Sequence, residues 1–260
     1  MIETPSLPGP TFIVIGAMKA GTTSLHHYLA AHPDIFMTGH KEPDYFVEEK
    51  SWSRGLAWYR SLFADGTRSA VRGESSTSYT KSLRFPGVAE RMSRHFPDLK
   101  LIYLVRDPLL RAASHVLHAY EGTSTTPTPQ ELRNDHVLAC SDYALQLGEY
   151  AKYFNLEQVL IVFTDDLLHH RDATYRRIVR FLDVEPLLPG GLNRTYGATE
   201  DYNVTTYLES VDIKTRASAG ESLTRSLARW LEMICRCRVA STRDWTLDWM
   251  LNLQRWKQSA

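Results

Sequence analysis

One stretch constrains this chain more than any other. The apolar run Thr11–Gly16 (TFIVIG) passes directly into Ala17-Met18-Lys19-Ala20-Gly21-Thr22-Thr23-Ser24 and then into a helical pattern, LHHYLAA. Glycines at 16 and 21 let the backbone turn tightly, so successive amides can point inward at an anion. The helix that follows aims its free amides and positive dipole end at the same place. Three consecutive hydroxyls, on Thr22, Thr23 and Ser24, and the charge of Lys19 complete a phosphate cradle. A plain strand-to-helix turn would explain the two glycines but not the lysine and hydroxyls. The Gly16 to Gly21 spacing fits G-x-x-x-x-G, yet Thr22 stands where a nucleotide-triphosphatase loop needs lysine.

The rest of the chain supplies a sheet for this loop. Leu99–Val105 (LKLIYLV) and Gln158–Thr164 (QVLIVFT) are continuous, β-branched apolar runs, and Ser69–Glu74 is a weaker candidate. Continuous rather than alternating apolar runs predict parallel strands covered on both faces. Helical patterns lie over Thr22–Ala31, Pro108–Tyr120, Ala144–Phe154 and Ala173–Leu182, so the expected fold is α/β, a doubly wound, mostly parallel sheet. Ligands then bind at the carboxyl ends of the strands. A second anion site is expected where LVRDPLLRAASH delivers Arg106 to a strand end. Asp107 is a good helix N-cap and Pro108 a good first helical residue, and Ser114, two turns on, can share an oxyanion with Arg106.

Strand, K-x-G-T-T-S and helix together resemble the 5′-phosphosulfate loop of the sulfotransferases that use 3′-phosphoadenosine 5′-phosphosulfate (PAPS). The similarity is to the heparan sulfate branch and its soluble bacterial relatives. The resemblance implies that Lys19, Ala20, Gly21, Thr22, Thr23 and Ser24 hold the 5′-phosphosulfate, and that Arg106 and Ser114 hold the 3′-phosphate. His40-Lys41-Glu42-Pro43-Asp44-Tyr45-Phe46, followed by Gly55-Leu56-Ala57-Trp58-Tyr59, is similar to that branch's K-E-x-x-[FY]-F and G-x-x-W-Y segments. It implies that Glu42 is the general base; an attacking hydroxyl or amine must lose its proton, and a carboxylate in reach can take it. His40 is the competing base, because histidine titrates near neutrality. Gly73-Glu74-Ser75-Ser76-Thr77-Ser78-Tyr79 resembles a family segment but departs from it. Thr77 replaces a common proline, and Ser75 stands where the heparan branch often has lysine, which puts a second active-site cation in doubt. Ser141-Asp142-Tyr143 and Phe163–Leu167 fit the family's later helix and last core strand. Lys214-Thr215-Arg216 resembles a late K-G-R loop over the cofactor phosphate, with threonine for glycine, and Arg194 and Tyr196 could join a covering loop. Residues 11 to 217 carry the resemblance, within one domain spanning 1–260.

Charge and composition bound the alternatives. Lys+Arg 30 against Asp+Glu 30 gives a formal charge of zero, which removes the strong basic footprint of a nucleic-acid binder. A hydrophobic content of 43% excludes wholesale disorder. Cys140, Cys235 and Cys237 form no zinc set and read as reduced thiols. The N-terminus has no signal-peptide pattern and no run reaches a membrane span, so a cytoplasmic protein is expected. No metal is expected, because lysine can neutralise the leaving group of a sulfuryl transfer. Glu121–Gln130, rich in Thr and Pro, is either a solvated connector or a lid. The extension 218–260 carries Trp230, Trp245, Trp249 and Trp256 beside several arginines. It could pack on the domain, form a homodimer, meet a membrane or anionic partner, or line the acceptor site. The acceptor is expected to be a small molecule rather than a secreted glycan. Rival readings are an ATP-dependent small-molecule kinase with a degenerate loop, and a non-catalytic nucleotide-binding protein that would not need Glu42.

Overall fold

The computed structural model describes residues 7–196, apart from 126, 129, 130, 132, 133, 191, 193 and 195. Lys214, Arg216, the Cys235/Cys237 pair and the Trp-rich extension lie outside the described residues. A five-stranded sheet organises the rest, with β1 (Phe12–Gly16) at its centre. β3 (Val71–Ser75) and β4 (Lys100–Val105) flank β1, β2 (Ile35–Met37) pairs outside β3, and β5 (Val159–Phe163) outside β4. Every pairing is parallel. All five residues of β1 are buried and five of the six in β4, as expected for strands covered on both faces. Edge strand β5 is only partly buried, which matches its weaker apolar environment.

Helices connect the strands: α1 (Thr22–Ala30), α2 (Gly55–Ser61), α3 (Val88–His95), α4 (Pro108–Ala119), α5 (Asp135–Ala139), α6 (Tyr143–Tyr150), α7 (Thr164–His169) and α8 (Arg171–Phe181). As the sequence predicts, Asp107 caps α4, accepting from the amides of Leu109 and Leu110 at 3.0 Å each, with Pro108 as its first residue. β2 has three residues and escapes pattern reading. α6 stops at Tyr150, short of the expected Phe154, as the chain tightens into turns. After β3 the chain crosses from one side of β1 to the other to make β4, so the order β2-β3-β1-β4-β5 reverses at the centre. A crevice opens at such a switch point, at the carboxyl ends of the strands. Among the described residues no helix is long and apolar enough to cross a membrane.

Candidate functional site

The candidate residues gather at those carboxyl ends. β1 runs out through Gly16 into the loop that α1 follows. Gly16 has φ +147°, and a Cβ there would meet the Thr80 hydroxyl at 2.1 Å. Gly21 adopts φ 90° and begins α1, which no side chain caps. Its first amides therefore face the loop, as an anion site requires. Thr164, at the end of β5, fixes the loop: its hydroxyl is within 2.8 Å of the Ala20 carbonyl and 3.2 Å of the Val105 carbonyl. Lys19 stands between them in a left-handed conformation, φ 68°, which a non-glycine residue adopts only under constraint.

Arg106 arrives from β4 beside the same loop. Its Nη1 donates to the Lys19 carbonyl at 3.3 Å, so the two cations foreseen from separate motifs do converge. The Tyr143 hydroxyl clamps the Arg106 backbone, donating to its carbonyl at 2.8 Å and accepting from its amide at 3.2 Å. Burial holds this phenol at a pKa of about 12, so it remains a neutral donor. Asp142 caps α6 through the Leu145 amide, and the Ser141 hydroxyl joins Arg111 to the Pro108 carbonyl. The Ser-Asp-Tyr trio thus braces the arm that carries Arg106. Ser114 is buried on α4. Burial lowers the pKa of the Lys19 ammonium; Glu121 opposes that shift and Arg106 adds to it.

Thr22 and Ser24 are buried and Thr23 is half-buried at the start of α1. Ser24 is bound to another part of the chain: its hydroxyl donates to the Tyr196 carbonyl at 3.1 Å and accepts from the Tyr196 amide at 2.9 Å. Tyr28 donates to the Arg194 carbonyl at 2.5 Å, and the Tyr196 ring lies over His27 with centroids 4.3 Å apart. Residues 194 and 196 therefore sit on the helix that opens at the cradle.

Glu42 lies on the segment after β2, beside the end of β3. Its amide donates to the Ser75 carbonyl at 2.9 Å, extending the edge of β3. Its backbone is also left-handed, φ 60°. The carboxylate accepts from Lys41 at 2.7 Å and from the Thr77 hydroxyl at 3.2 Å to each oxygen. Burial pushes this carboxyl up, but Lys41, Lys81 and Thr77 together outweigh it and hold the pKa below the usual value. Glu42 is thus ionised near neutral pH. His40 is exposed, and its carbonyl receives the Thr38 hydroxyl at 3.0 Å.

The turn that supports Glu42 is built from hydroxyls, a feature the motif comparison alone did not assign. Ser75 through Thr80 are all buried. Ser75 pairs with His26 Nδ1 at 3.0 Å, Thr77 with Glu42, and Ser78 with Asp44 at 3.2 Å, while Lys50 also binds Asp44. Ser76 and Tyr79 donate to Glu74 at 2.9 and 2.8 Å, and Tyr59 does so at 3.2 Å. Burial drives the Glu74 carboxyl up to about 8 despite these donors. It also drives His26 down to about 4, with Lys41 and His27 contributing, so His26 is neutral. Although Ser75 replaces a lysine common in the resembled branch, Lys41 and Lys81 both act on Glu42. The signal for these partners was the run Ser75-Ser76-Thr77-Ser78-Tyr79-Thr80 itself, six hydroxyl residues too many for an ordinary loop.

Comparison with known proteins agrees with this geometry. The family model described as "Sulfotransferase domain" matches residues 9–212. Heparan sulfate glucosamine 3-O-sulfotransferase 3B1 of Mus musculus is 32% identical over 190 residues, 69% of this chain and 47% of that protein. Heparan sulfate glucosamine 3-O-sulfotransferase 3A1 of Homo sapiens is 32% identical over 199 residues, 72% of this chain and 48% of that protein. The chain spans about half the length of these curated relatives. A solved sulfotransferase from Alicyclobacillus acidocaldarius superposes with a TM-score of 0.61 at 26% identity, covering 80% of this chain and 92% of its own.

Proposed function

The chain belongs to the sulfotransferase family, and on that premise we propose that it transfers a sulfuryl group from PAPS to a hydroxyl or amine of a small-molecule or glycan acceptor. The observation that carries this reading is that Lys19, after β1, and Arg106, after β4, meet at neighbouring strand ends, with an ionised Glu42 bonded to the Ser75 carbonyl at the end of β3. The donor set fits a compact polyanion: an uncapped helix start at Gly21, two cations, and buried hydroxyls at Thr22 and Ser24. When bound, PAPS supplies an activated sulfuryl group and an anionic leaving group.

In this reading the amides of Ala20 to Ser24, with the side chains of Thr22 and Thr23, hold the 5′-phosphosulfate. Lys19 neutralises charge that develops toward the leaving oxygen, a fixed electrostatic contribution to the transition state. Arg106 and Ser114 hold the 3′-phosphate end, and the Tyr143 clamp keeps Arg106 aimed. Arg194 and Tyr196 cover the same helix, and Arg216 is retained as a proposed ligand from the sequence. Glu42 receives the acceptor's proton; Thr77 and Lys41 hold its carboxylate in place and ionised. Residues 1–260 are read as one domain, with the extension 218–260 proposed for a homodimer contact and the site proposed to work in the cytoplasm without a metal.

Calorimetric titration with adenosine 3′,5′-bisphosphate and with ATP, each with and without Mg²⁺, tests the proposal. Tight, metal-independent binding of the bisphosphate is the expected result. Preference for ATP with Mg²⁺ would replace it with the kinase reading.

A further inference from the structure

Glu42 sits in a bend that its own backbone does not favour. Both Glu42 and Asp44 are left-handed, at φ 60° and φ 50°, with Pro43 between them. A proline pushes the residue before it toward extended backbone, so Glu42 departs from that preference as well. Such a conformation persists only where the surroundings over-determine it. Here the surroundings are three consecutive hydroxyls that follow β3. The Ser76 hydroxyl accepts from the Asp44 amide at 3.1 Å. The Thr77 hydroxyl lies 3.2 Å from each oxygen of the Glu42 carboxylate and donates to it. The Ser78 hydroxyl donates to Asp44 Oδ2 at 3.2 Å. One side of the bend is thus held at Glu42 and the other at Asp44.

Asp44 anchors the far side of the bend. It is 5% exposed, and its carbonyl also accepts from the Val47 amide at 3.1 Å. Lys50 binds the same Oδ2, donates to the Ser78 hydroxyl at 2.8 Å, and stands 5.5 Å from the centre of the Phe85 ring. Asp44, Ser78 and Lys50 therefore close a triangle in which one carboxylate oxygen receives two donors. The other oxygen, Oδ1, is buried and has no hydrogen-bond partner among the described residues. Holding a carboxylate in this way is costly, and glycine would take the same φ with less strain. What glycine lacks is the side chain that ties the bend to the turn at 76–80. Asp44 falls at one of the open positions of the K-E-x-x-[FY]-F segment, so the resemblance assigns it no role.

We propose that Asp44 is a positioning residue for Glu42: pinned by Ser78 and Lys50, it fixes the Pro43 bend that keeps the Glu42 carboxylate on Thr77. The inference rests on the sulfotransferase reading only in taking Glu42 as the acceptor of the proton. Besides burial, three groups set the ionisation of Glu42: Lys41 on its own segment, and Lys81 and Thr77 from the turn. Together they hold its pKa down, so a loosened bend lets it rise toward the ordinary carboxylate value. Loss of the Asp44 charge by itself would act in the opposite sense, because one anion disfavours another nearby. The direction of the change therefore separates positioning from simple electrostatics.

Carboxyl-detected NMR of the full chain with isotopically labelled glutamate, saturated with adenosine 3′,5′-bisphosphate, follows Glu42 through an acid titration. Glu42→Gln identifies its resonance by removing it. Asp44→Asn should move the midpoint of that titration up by about one pH unit, the scale of a lost charged hydrogen bond. Ser78→Ala and Lys50→Met, which each remove one leg of the triangle, should move it up by less. Calorimetric affinity for the bisphosphate should stay near that of the unaltered chain in every variant. A midpoint that falls or stays in place in folded Asp44→Asn would overturn the proposal. So would a rise accompanied by lost bisphosphate affinity, which would make Asp44 a general support of the fold. Should Asp44→Asn not fold, Ser78→Ala and Lys50→Met decide in the same terms. Failure of the unaltered chain to bind the bisphosphate strikes the donor reading instead, and the Glu42 comparison is then read without it.

Discussion

The proposed donor side and the proposed acceptor side of this site are held by different kinds of structure. Around Lys19 and Arg106 the fixing contacts are mostly to backbone: Thr164 to two carbonyls, Arg106 to the Lys19 carbonyl, Tyr143 to both polar groups of Arg106. Around Glu42 they are side chain to side chain, through Thr77, Lys41 and the buried hydroxyl run. Backbone-held geometry tolerates many side chains and shows itself as a short motif at fixed spacing. Side-chain-held geometry is spread over distant positions and can be altered one residue at a time. In the proposed function, the first kind of construction would serve the donor and the second the acceptor.

Substitutions can break or sharpen that contrast. The largest effect belongs to Glu42→Gln, which should lower kcat by about 10²–10⁴-fold, the scale of a lost proton acceptor. Bisphosphate affinity measured by calorimetry should stay near that of the unaltered chain; a large loss of affinity would show that the two sides are not separate. In the unaltered chain the acid limb of kcat/KM should fall below the ordinary carboxylate pKa of about 4, because Glu42 is held ionised. A limb near about 6.5 would transfer the role to His40. Next, Lys19→Ala should reduce both rate and affinity, by about 10²-fold in kcat/KM, whereas Arg106→Ala should act on affinity with kcat little changed.

Thr77→Val is a smaller, sharper probe of the acceptor side. It removes the hydroxyl that both steadies Glu42 and lowers its pKa, so kcat should drop about tenfold and the acid limb should move to higher pH. A drop in kcat with an unmoved limb would assign Thr77 to packing alone. Least affected in turnover is Glu74→Gln, whose readout is stability. The folded carboxyl, at about 8, keeps a proton that the unfolded chain releases near the ordinary value of 4.5. The unfolded state therefore binds fewer protons between those pH values, and stability falls as pH rises through that window. Urea unfolding at pH 5 and pH 8 should show the unaltered chain losing on the order of a few kcal/mol more than Glu74→Gln.

This division also explains what the sequence alone revealed. β1, its loop and α1 were readable because strand burial, glycine and the helix start act on adjacent residues. The Asp107-Pro108 start of α4 was readable for the same reason. The Thr77 contact to Glu42 spans 35 positions, and no local pattern announces it. β2 is three residues long and is specified by pairing with β3 rather than by its own periodicity. Lys81 has no motif at all; only the folded chain brings its charge to bear on Glu42. Ser75 showed that a family lysine is missing, but only the fold shows that other cations stand beside Glu42.

The clasp between Ser24 and Tyr196 joins positions 172 apart in sequence. Closing so long a loop costs entropy before its two hydrogen bonds return anything. The helix that opens at the phosphate loop, although encoded near the beginning of the chain, is thus completed by residues made nearly two hundred positions later. That helix start is therefore held in its final form only once position 196 is in place.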